Sequence, residues 1–78
     1  MIVSAMGANE IHIQVNGEMR SVADESTLND LVLALSLAPA RIAVELNGEV
    51  VRRNLWAETV LTEDDRLEIV HFVGGGSV

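Results

Sequence analysis

The 78 residues contain no cysteine, no lysine and a single proline. Without cysteine there is no disulfide framework, no thiolate nucleophile and no iron–sulfur or ordinary structural zinc site. No run of about 18 apolar residues exists to span a membrane. The opening MIVSAMGANE has no basic residue and too short an apolar patch for a secretory signal. These absences lead us to expect an intracellular, cytoplasmic protein that engages no membrane.

Basic charge is also scarce: twelve acidic residues face five arginines, a formal charge of -7. Nucleic acid binding needs a basic face to neutralise phosphates, so that partner class is excluded, and a basic protein surface suits the chain better. Length bounds the rest. One small domain is expected, and a chain of this size buries only about 60% of the surface its unfolded form exposes. That leaves little shelter for a deep catalytic pocket, so we expect a protein that is not itself an enzyme.

Two hairpin signals organise what is present. In IHIQVNGEMRSV, Ile11, Ile13 and Val15 alternate with His12 and Gln14, the period of a half-buried strand, and Asn16-Gly17 supplies the positive-φ pair of a tight turn. In IAVELNGEVV the device recurs: Ile42, Val44 and Leu46 share one face, Asn47-Gly48 turns, and Glu49-Val50-Val51 returns. Between the hairpins, Leu28, Leu31, Val32 and Leu35 fall at helical spacing. Ser26 or Thr27 can cap the first turn, Asp30 opposes the positive end of the dipole, and Pro39 forbids continuation. The spacing predicts a helix from about Thr27 to Leu37, with Leu31 and Leu35 against the sheet.

The last third leads from an irregular segment with Leu55 and Trp56, read as a lid on the core, through an acidic turn to a closing strand, Arg66 to Val73. Glu63-Asp64-Asp65 reads as a solvated turn. In the strand, Leu67, Ile69 and His71 alternate with Glu68, Val70 and Phe72. The order strand, strand, helix, strand, short strand, strand gives an α+β layer pair, one sheet covered by one helix. If Leu67 and Ile69 face the helix, Val70 and Phe72 face away and form a partner-docking patch; curling of the sheet or a folded-back N-terminal extension would instead shelter them. His12 and His71 lack the spacing of a zinc site and read as histidines on a sheet face, so no metal is expected.

The strand ends in FVGGGSV. GGGS is what a flexible spacer looks like; it is also what a tail built to enter another protein's active site looks like. VNGE, ELNGEVVRRNLWAETVL and DRLEIVHFVGGG, in that order, resemble the ThiS family of sulfur carrier proteins of thiamine synthesis, small ubiquitin-like proteins. The resemblance covers Ile11 to Gly76. It implies a β-grasp fold: a mixed sheet of four to five strands across one helix, with the last strand parallel to the first. The expected division is a flexible extension over 1–9, the β-grasp domain over 10–73 and a flexible glycine tail over 74–78.

The resemblance further implies that Gly76 is adenylated by a ThiF-type enzyme using ATP, the carrier itself binding no cofactor. Gly76 then becomes a thiocarboxylate, with sulfur from a cysteine desulfurase or persulfide protein, and thiazole synthase ThiG receives it. Glycines suit the task, because Gly74 and Gly75 carry no Cβ to block a narrow channel. Ser77 and Val78 depart from the pattern: a tail-trimming protease removes them, or they are additions, or the protein works otherwise. Asp64 is a second departure, where the family has Gly in the turn; Asp tolerates a left-handed backbone, so the turn should survive. The fold leaves open cysteine, homocysteine or molybdopterin synthesis as destinations, and also a ubiquitin-like binding domain that carries no sulfur. A β-grasp ferredoxin is excluded by the missing cysteines.

Overall fold

A computed structural model describes residues 9–72. The elements are β1 (Glu10–Val15), β2 (Glu18–Ala23), α1 (Leu28–Ala34), β3 (Ile42–Leu46), β4 (Glu49–Val51) and β5 (Arg66–His71). Short 3-10 segments occupy Pro39–Arg41 and Arg53–Glu58. The strands form one sheet in the order β2-β1-β5-β3-β4. β5 runs parallel to β1 and antiparallel to β3, so the last strand sits centrally between the two hairpins.

Both hairpins turn where the sequence demands it. Asn16 and Gly17 have φ of 52° and 84°, and Asn47 and Gly48 have φ of 53° and 90°, the paired left-handed residues that match the twist of the flanking strands. One face of the resulting sheet is apolar. Ile13 and Val15 of β1, Ile42 and Val44 of β3, and Leu67 and Ile69 of β5 are buried with Leu28, Leu31 and Val32 of α1, and Trp56 and Leu61 complete the core.

Thr27 is the N-cap: its hydroxyl accepts from Asp30 N–H, and the Asp30 carboxylate accepts from Thr27 N–H, both at 3.0 Å, a reciprocal capping box. Ser26 instead donates its hydroxyl to the Ala23 carbonyl. The helix is shorter than its apolar spacing predicts, ending at Ala34 rather than Leu37. Ser36 adopts φ of 60°. Its N–H donates to the Leu33 carbonyl and that of Leu37 to the Val32 carbonyl, the two bonds of a Schellman stop. Leu37 thus packs on the core from beyond the helix, and Leu35, at the C-cap, is half-buried.

Three further expectations need correction. The segment around Trp56 is a 3-10 helix rather than irregular. Within it Trp56 is buried and its indole N–H donates to the Val51 carbonyl at 2.9 Å, whereas Leu55 points out to solvent and is no part of a lid. The acidic turn is not wholly solvated, because Asp65 is 8% exposed. Its carboxylate accepts from Thr62 N–H at 2.8 Å, from the Thr62 hydroxyl at 3.2 Å and from the Asn47 amide at 3.0 Å. A buried carboxyl group of this kind is tolerated because three donors are aimed at it. Asp64, with φ of 72°, holds the left-handed position as expected.

β5 ends at His71, with Phe72 N–H still donating to the Arg41 carbonyl. The expected extension of the strand through Val73, and the tail over 74–78, lie outside the described residues. So does the proposed N-terminal extension, apart from Asn9, whose carbonyl accepts from Asp24 N–H.

Candidate functional site

The residues expected to carry the chemistry, Gly74, Gly75 and Gly76, fall beyond the described chain. The structure places the strand that leads to them. β5 is held along both edges: toward β3 by a five-pair antiparallel register from Ile42↔His71 to Leu46↔Leu67, and toward β1 by a short parallel register, Gln14↔Arg66 and Val15↔Leu67.

Where the β1 ladder ends, a side chain continues it. Asn16 Oδ1 accepts from Ile69 N–H at 2.8 Å, and its Nδ2 lies 3.4 Å from the Ile69 carbonyl. On the opposite edge, Asn47 Oδ1 accepts from Arg66 N–H at 2.9 Å, and Asn47 N–H donates to the Arg66 carbonyl at 2.7 Å. The same two asparagines that make the hairpin turns therefore clamp the strand that leads to the tail. The sequence shows their left-handed turns through the Asn-Gly pairs; the clamps escape it because their partners lie 53 and 19 positions away.

The turn before β5 is fastened to β1 as well. Asp64 N–H donates to the His12 carbonyl at 2.7 Å, and His12 N–H donates to Glu63 Oε1 at 2.9 Å. His12 Nδ1 lies 3.2 Å from Glu63 Oε2. The backbone N–H of His12, above all, holds the Glu63 carboxyl below the usual glutamate range; the His12 ring adds to this, and partial desolvation opposes it. His12 is therefore not isolated on its sheet face: it is one half of a turn-fastening pair. Among the described residues, no three His, Asp or Glu side chains cluster as a metal site would require. No helix there is long and apolar enough to cross a membrane.

The alternation read from the sequence decides which face β5 presents. Leu67 and Ile69 are buried beneath α1, whereas Val70 and Phe72, each 55% exposed, stand on the face that no described element covers. The shelter that a curled sheet would have given is absent for these two residues. They form an apolar step at the point where the chain passes toward its glycines.

The ThiS family model matches residues 13–76, most of the domain together with the glycine run. The chain belongs to the ThiS family. It is 37% identical over 65 residues to the sulfur carrier protein ThiS of Bacillus subtilis, covering 82% of this chain and 98% of that one. The crystal structure of the thiamine biosynthesis protein ThiS from Geobacter metallireducens superposes with a TM-score of 0.73 at 36% identity, covering 85% of this chain and all of that one. A thiazole synthase from Magnetococcus marinus is 45% identical over 64 residues, which are 82% of this chain and 20% of that protein. The ThiS-family chain thus spans about a fifth of that enzyme's length. The fold is accordingly the β-grasp of ThiS proteins, with five strands and one helix.

Proposed function

We propose that the chain is a sulfur carrier of thiamine synthesis that works as a protein co-substrate, with Gly76 as its reactive end. The observation that carries this reading is the extent of the family match, which stops at Gly76 and leaves Ser77 and Val78 beyond it. A chain trimmed there presents a glycine carboxylate on a side-chain-free tail, Gly74-Gly75-Gly76, leaving a strand clamped on both edges.

A carboxylate is a poor electrophile, so the chemistry requires activation. The Gly76 carboxylate attacks the α-phosphorus of ATP on a ThiF-type adenylating enzyme, forming an acyl adenylate as pyrophosphate leaves. The terminal sulfur of a persulfide, from a cysteine desulfurase or a persulfide protein, attacks the carbonyl, and AMP departs. A thiol then cleaves the S–S bond of the acyl disulfide, becoming oxidised to a disulfide and leaving the thiocarboxylate. The carrier contributes no acid, base or bound cofactor, only a positioned acyl end.

The thiazole branch is favoured over the sister destinations by the relatives named thiazole synthase, in which a segment like this chain forms about a fifth of the protein. Such a fusion suits a carrier that delivers to a ThiG-type enzyme. Val70 and Phe72 are the docking residues in this reading, and the cytoplasm, where persulfides and thiols stay reduced, is its compartment. The test is mass measurement of the chain ending at Gly76 after incubation with ATP, the adenylating enzyme and a sulfur source. Replacement of one oxygen by sulfur supports the carrier reading, and an unchanged mass overturns it.

A further inference from the structure

The two hairpin turns share their local sequence as well as their backbone: Asn16-Gly17-Glu18 and Asn47-Gly48-Glu49. An asparagine before glycine is open to attack by its own chain, because glycine has no Cβ to keep the next backbone nitrogen away from the asparagine carboxamide. That nitrogen gives its proton to water or hydroxide and attacks Cγ; the Cγ–Nδ2 bond breaks, ammonia leaves and a succinimide ring closes. Water then opens the ring. Opening at the side-chain carbonyl gives aspartate, and opening at the main-chain carbonyl gives isoaspartate, whose backbone runs through the former side chain. Water is the only co-reactant.

Both turns are open to water: no atom lies within 4 Å of where a Cβ on Gly17 or Gly48 would stand. What restrains them is the grip on β5. To be attacked, the carboxamide must fold back over its own peptide, and here it reaches across to β5 instead. Asn16 is held by one strong bond, from Ile69 N–H to Oδ1 at 2.8 Å, its Nδ2 contact of 3.4 Å being long. Asn47 is held at both atoms: Oδ1 accepts from Arg66 N–H at 2.9 Å, and Nδ2 donates to Asp65 Oδ1 at 3.0 Å. The consequences of reaction differ further. An acid at position 16 keeps the oxygen that Ile69 N–H uses. At position 47 the lost Nδ2 is the donor to buried Asp65, so an acid there sets oxygen against oxygen across the 3.0 Å that the amide now bridges, and neighbouring carboxyl groups resist ionising together.

We propose that Asn47-Gly48 is a latent self-modification site, kept unreacted by the bonds from Arg66 and to Asp65 while β5 is seated. Each opening of the first residues of β5 frees the carboxamide, and conversion to aspartate or isoaspartate then removes the donor that Asp65 needs for the strand to reseat. A transient local opening thereby becomes a permanent loosening of the strand that leads to the tail. The Asn16-Gly17 turn is the built-in comparison: it has the same local sequence, a weaker restraint and a smaller loss on conversion. The fold alone sets the difference between the two.

The experiment ages the unaltered chain in warm, mildly alkaline buffer, with and without denaturing urea. Peptide mapping with electron-transfer fragmentation locates each amide-to-acid mass gain and separates aspartate from isoaspartate. In urea the two turns should convert within about twofold of each other, because the unfolded chain leaves only their shared local sequence. In native buffer both should slow by about tenfold or more, since reaction then waits on local opening, and Asn47 should slow further than Asn16. Asn54, followed by the bulky Leu55, serves as the slow reference within the chain. Three variants test the consequence. Asn47→Asp should melt below Asn16→Asp and exchange its Leu67 amide faster. Asn47→Asp/Asp65→Asn, which reverses donor and acceptor, should recover part of the melting temperature that Asn47→Asp loses. Equal conversion of Asn47 in urea and native buffer overturns the proposal, as does native conversion of Asn47 no slower than that of Asn16. So does an Asn47→Asp chain that melts at or above Asn16→Asp, or a reversed pair that recovers nothing. If Asn47→Asp does not fold, the rates in the unaltered chain and the reversed pair still decide.

Discussion

Asn16 hydrogen-bonds the backbone of Ile69, with Oδ1 taking the N–H at 2.8 Å, and so extends the parallel ladder one step past the end of β1. A hairpin turn thereby grips the strand that leads to the tail. Replacing Asn16 by Gly keeps the left-handed turn and removes the grip. Asn16→Gly should cost roughly 1 to 3 kcal/mol, the range for leaving a buried backbone group unsatisfied. Amide hydrogen exchange at Ile69 should accelerate more than at Val44, in the middle of β3.

Asp65 is the corresponding anchor at the start of β5, gathering Thr62 and Asn47 around one buried carboxylate. Asp65→Ala strands those donors and should destabilise the domain by about 3 kcal/mol, as expected for hydrogen bonds to a charged acceptor. Urea unfolding checks this, with an unchanged slope showing that the unfolded state is not what moved.

The helix separates two leucines that the apolar spacing treats alike. Leu31 is buried in the body of α1, whereas Leu35 sits at its C-cap and is half-buried. Leu31→Ala should fall within the roughly 2 to 5 kcal/mol of buried leucine truncations, and Leu35→Ala clearly below Leu31→Ala. Equal losses in denaturant unfolding would mean that the stop at Ser36 does not loosen the packing of Leu35.

Those leucines also show where sequence stops being informative. The hairpins were legible because Asn-Gly pairs state their backbone requirement locally, and the strands and core because Ile13, Val15, Val44, Leu67 and Ile69 keep a strict period of two. The helix stop was not legible: a serine at φ of 60° carries no glycine to announce it. The clamps and the buried Asp65 were hidden for another reason, since their bonding partners come from distant turns that only the folded sheet brings together. The exposed Val70 and Phe72 followed from alternation alone. That Glu45 and Glu68, on the same face two residues before Val70, share one rung required the β3–β5 register.

Glu63 gives the fold an acid-side dependence. The His12 N–H lowers its folded-state pKa relative to the unfolded chain, so the contribution is fully present above the unfolded value and is lost as pH falls through the folded one. Carboxyl titration by NMR should find Glu63 ionising below the usual glutamate range. Glu63→Gln should flatten the fall of melting temperature below about pH 4.3, the unperturbed glutamate value. An acid profile identical to that of the unaltered chain would mean that the turn is fastened by Asp64 alone.

The carrier reading stands or falls on ATP–pyrophosphate exchange with the adenylating enzyme, measured for the chain ending at Gly76, the same chain carrying Gly75→Val, and the full 78-residue chain. A β-branched side chain is bulky and restricted in φ, so it should block a tail channel while leaving β5 untouched. The account predicts exchange by the trimmed chain, and none by Gly75→Val or by the chain that still ends in Val78. Equal exchange by trimmed and full chains, or full exchange by Gly75→Val, would contradict it.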